Sequence, residues 1–334
     1  MNWTEGTVLQ AGKYKVIRQI GGGGFSLTYL AEDSFLQRQV VIKAPNQLFE
    51  RDQDYEKFLR RFQREGQVLA KIKHPNIVQV IEFFQESGMP CLVMEYIKGP
   101  TLSEYVRQHG NLPQDKAVEY FRALAQALHL VHQANLVHCD VHPGNVILQD
   151  ERKPVLIDFG SAKSLQPSTY TVTTTINDNY SAYEQRSGEP RPTLDVYGLA
   201  ATLYFAVTGE RPLAAMDRKL YGDKLKTPKA HRSDLKPWIN QAILQGMELE
   251  AEDRSASIQA WLGLFHPPQP KTPKPKQSVT KTSTTARSYP QSKARSYPQS
   301  KSSLPWSSLG WLAGSYLPMG LIIGLVSTSP VAGA

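Results

Sequence analysis

Cysteine is scarce in this chain: Cys91 and Cys139 are the only two in 334 residues. Two thiols cannot build a disulfide framework, and a reduced, cytoplasmic compartment fits them better than a secreted one. No group of His, Cys, Asp and Glu stands at metal-ligand spacing, which speaks against a structural zinc site. The opening residues, MNWTEG, have neither the basic start nor the apolar run of a secretory signal. Acids are absent from residues 267–305, and charge of either sign is absent after Lys301. The missing acids relocate the net charge of +8. Of 38 Lys and Arg against 30 Asp and Glu, eight basic residues fall in 267–305 (Lys271, Lys274, Lys276, Lys281, Arg287, Lys293, Arg295, Lys301), so residues 1–266 balance at 30 against 30. The positive charge belongs to a tail, and nothing in the charge of the folded part calls for nucleic acid.

What is present falls into three textures. Residues 14–20 and 25–31 are short apolar stretches joined by four glycines, and Val40-Val41-Ile42 is a third strand-like run closed by Pro45. Residues 52–71 are charged and helical in period, with Phe58, Phe62, Val68, Leu69 and Ile72 on or near one face. Strand-like residues 77–84 and 91–96 follow. Past Gly99 come 117–133 and 195–208, rich in Ala, Leu, Phe and Tyr at helical spacing and long enough for buried helices. Strands first and helices afterwards predict an α+β chain of two lobes, not a doubly wound sheet.

From Pro267 the composition shifts to Pro, Lys, Ser, Thr and Gln, and ARSYPQSK occurs twice in succession, at 286–293 and 294–301. Such polarity cannot offset ordering entropy, so 267–305 is expected to be a disordered linker. Residues 309–326, LGWLAGSYLPMGLIIGLV, are eighteen residues without a charge. As a helix they would reach roughly 27 Å, against a hydrocarbon core of about 30 Å. A transmembrane helix is expected over 309–327, with Trp306, Trp311 and Tyr316 at the interfaces. The alternative is a frayed apolar terminus or a helix packed on the domain; Gly310, Gly314, Gly320, Gly324 and Pro318 weaken a helix there. The basic linker on the N-terminal side predicts a cytoplasmic orientation for residues 1–305.

Five features carry chemistry. Gly21-Gly22-Gly23-Gly24-Phe25-Ser26 lies between two strand-like runs, a flap whose N–H groups can approach phosphates; a dinucleotide fold would need a helix there. Lys43 ends the third run, and Glu65, twelve residues before Ile77, offers the opposite charge. In HCDVHPGN, residues 138–145, Asp140 stands five residues before Asn145. Thirteen residues past Asn145 comes Asp158-Phe159-Gly160, after Val155-Leu156-Ile157. Each Asp or Asn alone is an ordinary turn residue. Together they supply oxygen ligands for Mg²⁺ and one acid to orient a hydroxyl.

In this order and at these spacings the chain, over about residues 14–266, resembles the protein kinase superfamily, and within it the bacterial eukaryotic-type Ser/Thr kinases. HPNIV, LVMEYIKGPTL, AYEQ, DVYGLAATLYFAVTG and Arg254 add to the likeness. The resemblance implies a small antiparallel β lobe with one helix and a larger, mainly helical lobe. It implies ATP with Mg²⁺, or Mn²⁺ in its place, and protein substrates. Lys43 and Glu65 would pair behind the phosphates; Asp140 would accept or orient the substrate's hydroxyl proton; Asn145 and Asp158 would hold the metal. Nucleotide contacts are implied for Ile20, Gly21, Gly22, Gly23, Gly24, Phe25 and Ser26, with Thr28, Val41 and Leu148 lining the base. By the same resemblance Met94 would gate the pocket, and Glu95 to Ile97 would form the hinge. Glu184 and Arg254 resemble the family's buried ion pair.

Departures cluster. Cys139 replaces the Arg that receives a phosphorylated loop, which leaves Ser168, Thr169, Thr171, Thr173, Thr174 and Thr175 without an evident partner there. His142 replaces a phosphate-neutralising Lys and, with an ordinary pKa near 6.5, is expected to carry a fraction of a charge at neutral pH. Tyr183 stands in place of a Pro, and Asn177 in place of a Thr that positions the acceptor hydroxyl. The Asp-x-His-x-x-Asn spacing is also similar to that of small-molecule kinases. The expected activity is a membrane-associated Ser/Thr protein kinase; the alternatives are a nucleotide-binding pseudokinase scaffold and a small-molecule kinase.

Overall fold

In the computed structural model the described residues are 3–23, 26–49, 55–165, 177–187 and 189–266, without the side chains of Phe49, Arg61 and Glu65. They fall in one unit, Met1–Thr272. The expected linker at 267–305 and helix at 309–327 lie outside them, as do the candidate residues Gly24 and Phe25 and the loop hydroxyls from Ser168 to Thr175. Among the described residues no helix is long and apolar enough to cross a membrane.

The small lobe is a six-stranded antiparallel sheet in the order β1-β2-β3-β4-β6-β5. Its strands are β1 (Val8–Leu9), β2 (Tyr14–Gly23), β3 (Ser26–Asp33), β4 (Arg38–Pro45), β5 (Val80–Glu86) and β6 (Met89–Glu95). Strand β2 slips register against β3 twice, between Val16 and Arg18 and between Gln19 and Gly21; such bulges bend a strand and increase its twist. Between β4 and β5 runs α1 (Tyr55–Leu69), which turns Phe62 and Leu69 inward. Gly66 lets this helix close on the sheet, since a Cβ there would stand 3.1 Å from Leu92 Cδ1.

The fifth strand begins three residues later than the apolar run from Ile77 suggests. Ile77 instead bridges in parallel to Leu156 of the other lobe, where Val78 N donates to Leu156 O at 3.0 Å and Leu156 N to Asn76 O at 2.9 Å. These residues tie the two lobes together. The β5–β6 turn has φ of 50° at Ser87 and 81° at Gly88, the double positive-φ turn that matches strand twist.

The helical lobe comprises α2 (Leu102–His109), α3 (Gln114–Gln133), α4 (Pro192–Thr208), α5 (Ala215–Tyr221), α6 (Pro228–His231), α7 (Pro237–Gly246) and α8 (Ile258–Leu262). A reciprocal cap starts α2: Thr101 Oγ1 accepts from Glu104 N while Glu104 Oε2 accepts from Thr101 N. Helix α4 is buried from Leu194 to Val207, apolar all round as a central helix must be. Two short two-stranded antiparallel sheets belong to this lobe. Strand β7 (Leu136–Val137) pairs with β10 (Lys163–Ser164), and β8 (Val146–Gln149) pairs with β9 (Lys153–Leu156). The register sets Val146 opposite Leu156, so the residues just before β8 and just after β9 emerge side by side.

Candidate active site

The upper wall of the cleft is β2, β3 and β4. Gly21, Gly22 and Gly23 pair with Thr28, Leu27 and Ser26, so the glycines continue the strands as a flap. Thr28 faces Lys43 and Val41 faces Met94 in the adjoining registers. Met94, Ile97 and Leu148 are buried, and Ile20 is 39% exposed. At the hinge Glu95 is committed to Gln79: its N–H donates to Gln79 O at 3.0 Å and its carboxylate accepts Gln79 N–H at 2.8 Å. What the hinge can offer a base from its N–H groups falls to the backbone beyond, at Ile97.

Lys43, on β4, reaches across to the other lobe. Its Nζ donates to Asp158 Oδ1 at 2.5 Å, and Gly160 N donates to the same oxygen at 3.0 Å. The ammonium charge, aided by these hydrogen bonds, holds the Asp158 carboxyl far below the usual carboxylate range. The residue sits at a φ of 59°, and its side chain is 45% exposed toward the cleft. Gly160 is required by space: a Cβ there would collide with the Lys43 ammonium and lie 3.0 Å from Asp158 Oδ1. The expected partner Glu65 belongs to α1, but its side chain lies outside the described set; among the described side chains Lys43 pairs with Asp158.

Residues 138–145 leave β7 and are held from below by Asp195 of α4. His138 N donates to Asp195 Oδ2 and Cys139 N to Asp195 Oδ1, both at 2.8 Å, and His132 Nε2 lies 2.8 Å from Oδ2. Burial alone would raise the Asp195 carboxyl; these contacts, His132 foremost, more than offset that and keep it ionised. Gly198, one turn further, lets α4 approach the loop, because a Cβ there would stand 2.8 Å from Val141 O. His138 accepts Asp140 N–H at Nδ1, leaving Nε2 to donate to Ile157 O, and its ring meets Phe159 at 4.5 Å.

Asp140 is oriented by Asn145, whose Nδ2 donates to Asp140 O at 2.9 Å and to Oδ2 at 3.2 Å. Burial, and then the nearby negative charge of Asp158, push the Asp140 carboxyl up to about 7. Because the Asn145 amide protons are spent on Asp140, its Oδ1 is the atom left for a cation. Asp158 likewise keeps Oδ2 clear of Lys43 and Gly160. Two protein oxygens suit Mg²⁺, which takes one or two protein ligands and completes its shell with phosphate oxygens and water. Among the described residues no cluster of three or more His, Cys, Asp and Glu could hold a metal alone.

His142 corrects the expectation of partial charge. Its Nδ1 accepts Gly144 N–H at 3.0 Å, which puts the proton on Nε2, 3.8 Å from Asp140 Oδ1. Burial above all lowers its pKa to about 4, so the imidazole is neutral at neutral pH. The other departures find partners. Gln185 Nε2 donates to Cys139 O at 2.8 Å. Tyr183 OH donates to Glu250 Oε2 at 2.6 Å, with Lys219 over its ring. Asn177 O accepts the N–H groups of Tyr180 and Ser181 at 2.8 Å each. Glu184 Oε1 lies 2.7 Å from Arg254 Nη2.

Lys43, Asp140, Asn145 and Asp158 therefore meet in one cleft beneath the glycine flap. Sequence reasoning assigned no role to Asp195, Gly160 or Gln185. Asp195 carried a signal, as the only acid in a largely apolar 17-residue helical run; Gln185 stood in AYEQ, a motif that assigned it no task.

Residues 14–258 match the family model described as "Protein kinase domain". Among curated proteins, the chain is 34% identical over 239 residues to serine/threonine-protein kinase PrkC of Bacillus subtilis, covering 70% of this chain and 36% of that protein. It is 30% identical to serine/threonine-protein kinase PknB of Mycolicibacterium smegmatis, with 82% and 46% covered. It is also 30% identical to serine/threonine-protein kinase C of Synechocystis, with 83% and 55% covered. The chain thus spans about a third to a half of the length of these relatives. Among solved structures, PpkA-294 in its apo form superposes with a TM-score of 0.66 at 23% identity, over 79% of this chain and 99% of that one, a likeness of fold.

Proposed function

This chain belongs to the protein kinase family, and we propose that it transfers the γ-phosphoryl group of ATP, with Mg²⁺, to serine and threonine hydroxyls of proteins. One observation carries the reading: an ammonium, an ionised carboxylate, a carboxamide oxygen and a second carboxyl near 7 converge at the adjoining ends of β4, β7, β8 and β9.

The chemistry divides among them. Lys43, with one N–H given to Asp158, has further N–H groups to donate to phosphate oxygens. Asn145 Oδ1 and Asp158 would hold Mg²⁺, which would neutralise charge on the transferring phosphoryl oxygens. Asp140 orients the substrate hydroxyl and receives its proton; a carboxyl near 7 is matched to that task at neutral pH. His142 offers Nε2–H as a neutral donor where the family carries a full positive charge.

The proposal includes attachment to a membrane through residues 309–327, with the catalytic domain on the cytoplasmic side. Its support is the uncharged run and the basic linker before it. Recovery of the intact chain in the soluble fraction of lysed cells would remove it.

The test of the activity is incubation of the purified chain with Mg-ATP and a generic protein acceptor, followed by mass spectrometry. Phosphoserine and phosphothreonine are expected. The uncharged His142 favours one second reading, a nucleotide-binding scaffold without transfer. Tight ATP binding with no phosphorylated residue, in Mg²⁺ and in Mn²⁺, would establish that reading instead.

A further inference from the structure

A second groove in the helical lobe takes no part in the chemistry above. It has a volume of about 340 Å³ and is lined by Ser103 and Arg107 of α2 and by Phe205, Gly209, Glu210 and Arg211 at the end of α4 and just past it. Arg107 Nη2 donates to Ser103 Oγ at 3.0 Å, which lays the guanidinium along the helix. Two guanidinium groups against one carboxylate leave the lining with net positive charge. Phe205, buried in its floor, is the apolar wall.

Three contacts join this groove to the transfer site. Phe205 meets Tyr180 edge to face at 6.4 Å, and Tyr180 in turn lies 6.2 Å from the His142 ring. Asn179 Nδ2 donates to Pro212 O at 2.9 Å, which pins the loop bearing Arg211 to the segment beside the catalytic loop. Burial pushes the Tyr180 hydroxyl up to about 12, and the charge of Arg211 acts against that, so Arg211 is within electrostatic reach of the bridging ring.

We propose that this groove reads an acidic side chain of the protein substrate, with Arg107 and Arg211 together binding an Asp or Glu three to five residues from the phosphorylated hydroxyl. This rests on the kinase reading above. A guanidinium presents paired N–H donors that match a carboxylate, and a positive groove rejects basic peptides by the same charge. The ring steps from His142 to the groove span roughly 10–15 Å, which an extended peptide at about 3.3 Å per residue crosses in that many residues. Glu210 keeps the net charge of the lining near one, which suits a carboxylate better than a doubly charged phosphate.

The experiment uses the full chain and fluorescent peptides with one central Thr, in which a single Glu is moved from five residues before it to five after. Matched peptides carry Gln, Lys or phosphoserine at the same place. Binding by anisotropy and transfer from Mg-ATP are both read. One Glu position on one side is expected to tighten binding and lower KM by about tenfold relative to Gln, with kcat nearly unchanged. In the Arg107→Glu, Arg211→Glu variant the preference should pass to Lys, while transfer to the unflanked peptide stays within about twofold. Both arginines are exposed, so a matching thermal midpoint will show that the variant is folded. Equal handling of Glu and Gln peptides, a preference that survives in the variant, or a stronger preference for phosphoserine overturns the proposal and leaves the kinase reading standing. Selective binding of the Glu peptide that the variant loses, with no transfer to any peptide, sustains the groove and overturns the kinase reading.

Discussion

The Lys43 ammonium and the Asp158 carboxylate close on each other across the cleft, Nζ to Oδ1 at 2.5 Å, and so join the β lobe to the helical lobe. Both groups are thereby positioned before nucleotide arrives, which is the preorganisation that phosphoryl transfer depends on. Gly160 makes room for the contact, and this gives the first prediction. Gly160→Ala places a methyl group against the ammonium. We expect kcat to fall by roughly 10- to 100-fold while the circular dichroism spectrum is unchanged. Wild-type kcat in the folded variant would show that the contact is dispensable.

Asp140 gives a prediction with two readouts. The catalytic form is the carboxylate, so kcat/KM, which reports the free enzyme, should rise with pH through about 7. The stability consequence has the opposite sense. The folded-state pKa is raised above the unfolded one, so this residue's contribution is fully present below about 4 and is lost as pH rises through about 7. Asp140→Asn should therefore raise the thermal midpoint, by little at pH 5 and by several degrees at pH 8. A midpoint difference independent of pH would show that the carboxyl is not perturbed.

His142 is neutral across the physiological range because it is buried and because Nδ1 is engaged by Gly144. In the nucleotide-free protein an NMR titration of its ring should show no inflection between pH 5 and 8. An inflection near 6.5 would restore the partial charge that its residue type suggests.

Arg254 is a structural residue. Its side chain is fully buried, and it donates to the carbonyl oxygens of Glu248, Thr193 and Leu249 besides facing Glu184. Arg254→Met strands a carboxylate and three acceptors, at a cost of about 3–5 kcal/mol. Calorimetry should show the midpoint lowered by roughly 10 °C. An unchanged midpoint would contradict a structural role.

Much of this was legible in sequence because catalysis fixes residue type and because loop geometry fixes spacing. The glycine run, Lys43, Asp140, Asn145 and Asp158 all stand where strand ends deliver them, and order along the chain was enough to group them. What stayed hidden depends on contacts between distant residues. The neutrality of His142 comes from burial under a fold no local window reveals. Ile77 and Val78 read as the start of a strand, yet they pair with Leu156 of the other lobe. Tyr183, in sequence only a departure from a Pro, has Glu250 and Lys219, far along the chain, as its partners. Asp195 was visible as a buried acid, but its task of holding His138 and Cys139 is visible only in three dimensions.

The most direct test of the whole account is transfer from radiolabelled Mg-ATP by the wild-type chain and by Asp140→Asn, with nucleotide affinity measured on both. The account predicts phosphorylated protein from the wild type, a loss of about 100-fold or more in the variant, and nucleotide affinities that agree within about threefold. Equal transfer by the two proteins would contradict it, and so would nucleotide binding by both with transfer by neither.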